Sequence, residues 1–281
     1  MTSRITSEAV NRAMDYILEH LNEDLSLEQV ADHCHFSKYY FSRLFKVQTG
    51  ESVWEFVQRV RLEQSAFRLK TEKERSITDI GADYGYSPSS YSSAFRLHYQ
   101  TTPTGFRRKS CTPSLEHPFF RHANWQLESF EACRKKIQIR NVPDFQVIYE
   151  RRLGSYEGLS TQWLRFTEKY RDYLTEKTVF LERTCDDPAV TEAKNCLYDL
   201  CMSVGKDCDL ENTTRIQGGK CVVYRFQGHA KQIYGAYQTL FQVYFPRTSY
   251  VLDTARSVFA IYHMVDRESL YMELDICLPV R

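Results

Sequence analysis

Ser26-Leu27-Glu28-Gln29-Val30-Ala31 returns in kind, fifty positions on, as Ser76-Ile77-Thr78-Asp79-Ile80-Gly81. Phe36-Ser37 returns as Tyr86-Ser87, Phe41 as Tyr91, and Phe45-Lys46 as Phe95-Arg96, with no slip in register. Each copy predicts a capped helix, a short turn and a second capped helix. Ser26 and Gln29 suit a capping box, with Leu25 and Val30 at the staple positions around it. Ser76 and Asp79 nearly repeat that box. Ala31 and Gly81 are small where two helices must approach closely. Ser37 and Ser87 are N-cap candidates, Pro88 takes the first helical position, and Gly50 suits a C-cap. Two helix-turn-helix units in tandem are a device for placing two short helices in DNA.

Between the copies, Val53, Phe56, Val57, Val60 and Phe67 recur at helical spacing. They predict one helix over 52–69, about 27 Å long at 1.5 Å per residue. A spacer of that size suits two reading heads about 34 Å apart, one turn of DNA. Upstream, Val10, Met14, Ile17, Leu18 and Leu21 form the apolar stripe of a first helix opened near Ser7.

Charge agrees with DNA as a partner. The first 110 residues hold fifteen Lys and Arg against fourteen Asp and Glu, so net charge argues nothing. The signs are separated instead. No acid lies between Asp32 and Glu51, around Lys38, Arg43 and Lys46, and none between Asp83 and Glu116, around Arg96, Arg107, Arg108 and Lys109. A solvated charged face is the alternative, and the weaker one even for the charges taken alone. Coinciding with both predicted second helices, they read as a footprint for phosphate.

Residues 7–108 resemble the DNA-binding domain of the AraC/XylS family of transcriptional regulators. The resemblance is carried by Leu27 to Ala31, Phe36 to Lys46, Thr49-Gly50, Arg59 to Leu62, Ile80 to Tyr86, Phe95 to Tyr99, Pro103 and Phe106-Arg107. It implies that the first recognition helix exposes Lys38, Tyr39, Ser42 and Arg43. Arg43 would bond guanine in bidentate fashion, Tyr39 would meet a thymine methyl, and Lys46 would hold phosphate. In the second copy the equivalents of Tyr39, Ser42 and Arg43 are Ser89, Ser92 and Ser93. The stretch from Gly85 to Phe95 is also one residue shorter than is usual in the family, although it matches the first copy in length. Serines reach little, so this head is expected to hold backbone, with Arg96 on phosphate. Specificity is expected in the first half-site, with the chain a monomer on double-stranded DNA. RNA polymerase is a further partner of such a regulator.

The basic, proline-broken run from Arg107 to Pro118 predicts a linker over 109–136, in which Phe119, Phe120 and Trp125 suggest some packing. The chain then doubles itself again. Val142 to Gly154 and Ile216 to Gly228 each read as turn, strand and a glycine before a helix. Aromatic helical stretches follow, with Trp163, Phe166 and Tyr170 in one and Tyr237, Leu240, Phe241 and Tyr244 in the other. Each half closes on a strand, Tyr198 to Val204 and Leu274 to Val280. The expected architecture is an all-α tandem helix-turn-helix domain (1–108), the linker, and an α+β domain of two similar halves (137–281), with a groove between the halves.

That second region resembles the GyrI-like effector-binding domain, through Asp186-Asp187-Pro188, Val190-Thr191, Cys196, Tyr198 to Cys201, Ile216 to Lys220, Val223-Tyr224 and Gly228. The resemblance implies an aromatic groove for a small, often cationic or amphipathic, effector. Tyr149, Trp163, Tyr224, Tyr237 and Tyr262 are candidate rings. Alternation puts Glu273 and Asp275 on one face of the last strand, as carboxylates for a cation. Pairing with nearby arginines, or with water, is the alternative. Ala260 stands where many of these domains carry glutamate. A hydrolase using Glu273 or Asp275 as base, or a protein-partner module without a small ligand, are rival readings of this half.

No nucleophile triad or phosphate loop occurs, so neither catalysis nor a cofactor is expected. The nine cysteines form no CxxC pair and suit core positions in a reducing cytoplasm. His33, Cys34 and His35 are too close in sequence to converge on a metal. No signal peptide is expected, and no apolar run reaches membrane-spanning length.

Overall fold

The computed structural model describes residues 4–109, 127–187 and 189–281. The expected packing of Phe119, Phe120 and Trp125 lies outside the described residues. The chain separates into two compact units. One comprises described residues 6–109 and 189–191, the other residues 4–5, 127–187 and 192–281.

The chain opens with a two-residue strand, β1 (Arg4–Ile5), which the sequence did not suggest. Seven helices follow: α1 (Glu8–Glu19), α2 (Leu27–His33), α3 (Lys38–Thr49), α4 (Val53–Thr71), α5 (Ile77–Ala82), α6 (Pro88–Tyr99) and α7 (Pro103–Lys109). The α2–α3 and α5–α6 pairs are the two repeats. Ser26 and Gln29 form the full capping box, whereas Ser76 accepts from the Asp79 amide without the reciprocal bond. Asp79 has a carboxylate one methylene shorter than Gln29 has its amide. Ser87 caps α6 through its side chain. Ser37 has the extended backbone of an N-cap but makes no side-chain cap bond, a departure from expectation.

The spacer helix α4 is capped by a reciprocal Ser52–Glu55 box, and the Ser52 bond lowers the Glu55 pKa. Ser52→Ala is expected to cost about 1 kcal/mol, read as a lower melting temperature of the intact chain. Phe41, Phe45, Phe56, Val10, Met14 and Ile17 are buried around the first repeat. Leu62, Ala66, Leu69, Ile80, Tyr91 and Phe95 are buried around the second. Gly81 is small for a steric reason: a Cβ there would lie 2.7 Å from the Tyr91 ring.

In the other unit, α8 (Phe130–Lys135) falls inside the stretch expected to be linker. Then come β2 (Ile137–Val142), β3 (Phe145–Leu153), α9 (Leu159–Lys169), β4 (Phe180–Thr184), β5 (Leu197–Ser203), β6 (Thr213–Ile216), β7 (Gly219–His229), α10 (Ile233–Thr239), β8 (Val258–Val265) and β9 (Tyr271–Pro279). The antiparallel sheet runs β1-β3-β5-β4-β8-β9-β7-β2, with β6 also on β3. Strand parity sorts the side chains. Ile148, Tyr198, Leu200 and Met202 pack with Phe166 and Tyr170 from the α9 region. Val147, Tyr149, Leu181, Cys201, Val223, Phe259, Ile261 and Cys277 cluster on the opposite face.

That opposite face also carries ion pairs. Arg151 donates to Asp199, with both side chains fully buried, and Arg183 donates to Asp199 as well. The two arginines hold the Asp199 pKa down against the effect of burial. Among the described residues, six cysteines are buried, two are half-buried, and none forms a disulfide. No described helix is long and apolar enough to cross a membrane, and no described group of His, Cys, Asp and Glu is arranged to hold a metal.

Candidate functional site

Two features stand out, one in each unit. The first is the outward face of α3 and α6. Tyr39, Arg43 and Lys46 are exposed on α3, while Lys38 and Ser42 are half-buried. Ser89, Ser92, Ser93 and Arg96 are exposed at the corresponding places on α6. Lys38 lies 3.5 Å from Glu28, so its charge is partly satisfied within the repeat.

Four acids of the unit are already taken by internal arginines. Arg59 holds Glu51 and Glu63, Arg68 holds Glu72 and Asp83, and Arg75 holds Asp83. Arg61 is bonded to the carbonyls of Leu21 and Glu23. The internal arginines are therefore structural. Arg43 and Arg96 make no ion pair with any described residue and stay available on the exposed helices.

The second feature is an aromatic cluster in the sheet unit, gathered around an acid that the sequence reading missed. Glu182 lies mid-way along β4, opposite Leu200 on β5 and Ala260 on β8. It shares the helix-facing side of the sheet with Tyr262, whose hydroxyl donates to Glu182 Oε2 at 3.1 Å. Trp163 of α9 meets Tyr262 edge-on, ring centroids 5.5 Å apart, and Phe180 at 6.0 Å. Tyr237 of α10 feels the Glu182 charge and bonds to Thr184. Tyr156, stacked on Tyr198 at 4.1 Å, feels Glu182 as well.

Tyr156, Trp163, Phe180, Glu182, Tyr237 and Tyr262 are all half-buried. Burial pushes the Glu182 carboxyl up to about 7, with only the Tyr262 bond opposing it. The hydroxyls of Tyr237 and Tyr262 are pushed up too, by burial first and then by Glu182.

Of the seven residues expected at an effector site, the structure gathers Trp163, Tyr237 and Tyr262 around Glu182 and separates the other four. Glu273 and Asp275 project from the opposite face, because Tyr262 pairs with Leu274 and successive residues alternate. There Asp275 is held by Arg140 at 2.7 Å, Arg225 at 3.2 Å and His263 at 3.1 Å, and Glu273 by Arg225 at 3.3 Å. Tyr149 is buried on that face too, beside the Arg151 and Arg183 guanidinium groups. Tyr224 is on the helix side but three strands from Glu182, donating to Glu128.

Residues 9–109 match a helix-turn-helix domain, and residues 135–281 match the GyrI-like small molecule binding domain. The regulatory protein SoxS of Salmonella typhimurium is 32% identical over 103 residues, 36% of this chain and 95% of SoxS. This chain is an AraC-type regulator with a GyrI-like domain. The regulatory protein PocR of the same species is 41% identical over 111 residues, 38% of this chain. The AraC-type match spans only 36% of PocR's own length. The solved C-terminal domain of AraT, a response regulator from Geobacillus stearothermophilus, is 33% identical, covers 37% of this chain and 86% of that one, and has a TM-score of 0.35. The helical repeats thus lie in the AraC-type part, and the Glu182 cluster lies in the GyrI-like part.

Proposed function

We propose that this protein regulates transcription by binding DNA through α3 and α6, and that its GyrI-like domain senses a lipophilic cation at the Glu182 cluster. The observation that carries the effector assignment is Glu182 itself. An enclosed carboxylate whose hydrogen bond comes from a phenol, with no basic group among the charges acting on it, lacks the counter-charge that would make burial favourable. A cation supplies it. Trp163, Tyr237, Tyr262 and Tyr156 add cation–π attraction of roughly 1–2 kcal/mol once water is displaced.

The domain's two halves are read as a duplication. β3-α9-β4-β5 and β7-α10-β8-β9 follow the same order, and Arg151 faces Asp199 as Arg225 faces Asp275. On that reading the cluster lies where the halves meet, at the β4–β8 pairing. On DNA, Arg43 carries the main base contact, Tyr39 and Ser42 assist, and Lys38 and Lys46 hold backbone. Ser89, Ser92, Ser93 and Arg96 hold the second half-site. Two heads in one chain bind a directional site as a monomer, and RNA polymerase is the partner through which binding changes transcription.

Genome-wide footprinting of the purified protein tests the DNA reading and names its sites. Light scattering of the bound complex is expected to give one chain per site, and an obligate dimer there would overturn the monomer assignment. Tetraphenylphosphonium is expected to raise the melting temperature of the full chain, as any ligand selective for the folded state does, and to be recovered unchanged. A screen of cations, anions and neutral amphiphiles with no thermal shift would remove the effector reading.

A further inference from the structure

We propose that Val47 and Leu97 are specificity residues that read thymine methyl groups, one in each half-site. The proposal rests on α3 and α6 being the DNA-facing helices. Val47 and Leu97 stand fifty positions apart, at the same place in the two repeats. Both are 81% exposed, so neither contributes to the core. A β-branched residue on an exposed helix face is also a poor choice for the helix itself, and folding offers no reason for Val47.

Their placement does. Tyr39, Arg43 and Val47 follow one another at four-residue steps along α3, as Ser89, Ser93 and Leu97 do along α6. Lys46 and Arg96 lie alongside on the same exposed surfaces. The two aliphatic side chains therefore sit within the cationic faces that would meet DNA. In the major groove the apolar feature that distinguishes one base is the C5 methyl of thymine, and an aliphatic side chain is its complement. Val47 lies about 12 Å along the helix from Tyr39, far enough to meet a different base from the one beneath that ring. In α6 the serines leave Leu97 as the large apolar group on the exposed face, so it gives the second head a sequence preference that hydroxyls would not.

Deoxyuridine tests this, because it differs from thymidine only by the missing methyl. Each thymine of a footprinted site is replaced singly and titrated with the full chain. One thymine in each half-site is expected to matter, its replacement weakening binding about three- to fivefold, the factor for burying one methyl-sized group. The first effect should vanish in Val47→Ala and the second in Leu97→Ala, with the melting temperatures of both variants unchanged. A flat deoxyuridine scan overturns the inference, as do effects that persist in both variants or vanish only in Tyr39→Ala. Each of these outcomes leaves DNA binding intact. Failure to find any footprint would instead remove the reading beneath it.

Discussion

Glu182→Gln is expected to weaken binding of tetraphenylphosphonium roughly thirtyfold or more. The substitution keeps the size of the side chain and its place beside Tyr262, and removes only the charge. Deleting one partner of an enclosed charge pair typically costs about 2–5 kcal/mol, whereas the rings that remain supply the smaller cation–π share. Asp275→Asn should leave the cation's affinity unchanged, since Asp275 is on the other face with Arg140, Arg225 and His263.

The same variant changes how the protein responds to pH. The Glu182 carboxyl is raised from an ordinary value of 4.5 to about 7. A raised carboxyl binds its proton more tightly in the folded state. Its effect on stability is therefore most favourable below about pH 4.5, fades as pH climbs to about 7, and is constant above. At 1.4 kcal/mol per pH unit the span is on the order of 3 kcal/mol. Glu182→Gln should flatten that part of the profile and leave the ligand-free protein more stable at neutral pH. Cation affinity runs the other way. It should rise with pH up to about 7, because below that the ligand must displace a proton. Calorimetric titrations from pH 5.5 to 8.5 read both trends. A cation affinity that is independent of pH in the wild type would exclude Glu182 as its counter-charge.

How far the sequence speaks differs between the two units. The helical unit was legible almost helix by helix because its information is local. Caps, turn residues and apolar spacing are all written within a dozen positions, and a fifty-residue repeat checks each against its copy. The Ser37 cap misled because a serine at the right place need not turn its hydroxyl to the helix. In the sheet unit, alternation placed Glu273 and Asp275 together on one face. It could not say which face holds the helices, and the acids proved to be opposite Tyr262. Glu182 was hidden for a related reason. Phe180 to Thr184 is a five-residue strand whose meaning depends on neighbours far along the chain. Ala260 was conspicuous for lacking an acid. Only the β4–β8 register reveals that a carboxylate stands directly across from it. Cross-strand pairing over about eighty residues leaves no periodic trace.

Arg43→Ala is expected to weaken binding to a footprinted site by about 1–3 kcal/mol, and to relax the requirement at one base pair. Arg43 is exposed on α3 and makes no ion pair with a described residue, so its guanidinium is available to guanine O6 and N7. A bidentate pair of that kind supplies this much discrimination. The internal arginines make the contrast. Arg59 is enclosed between Glu51 and Glu63, and Arg59→Ala should act through folding, lowering the melting temperature and weakening all DNA alike. Ser93, the counterpart of Arg43 on α6, offers one hydroxyl on a short side chain. Ser93→Ala should change affinity within about 0.5 kcal/mol, as exposed substitutions usually do. Titrations on the native site and on one with the guanine replaced separate these cases. Arg43→Ala should bind the two equally, while the wild type and Ser93→Ala should still distinguish them. Equal losses for Arg43→Ala and Ser93→Ala on the native site would mean that Ser93 reads a base as strongly as Arg43 does, and the assignment of the main specificity to the first half-site would fail.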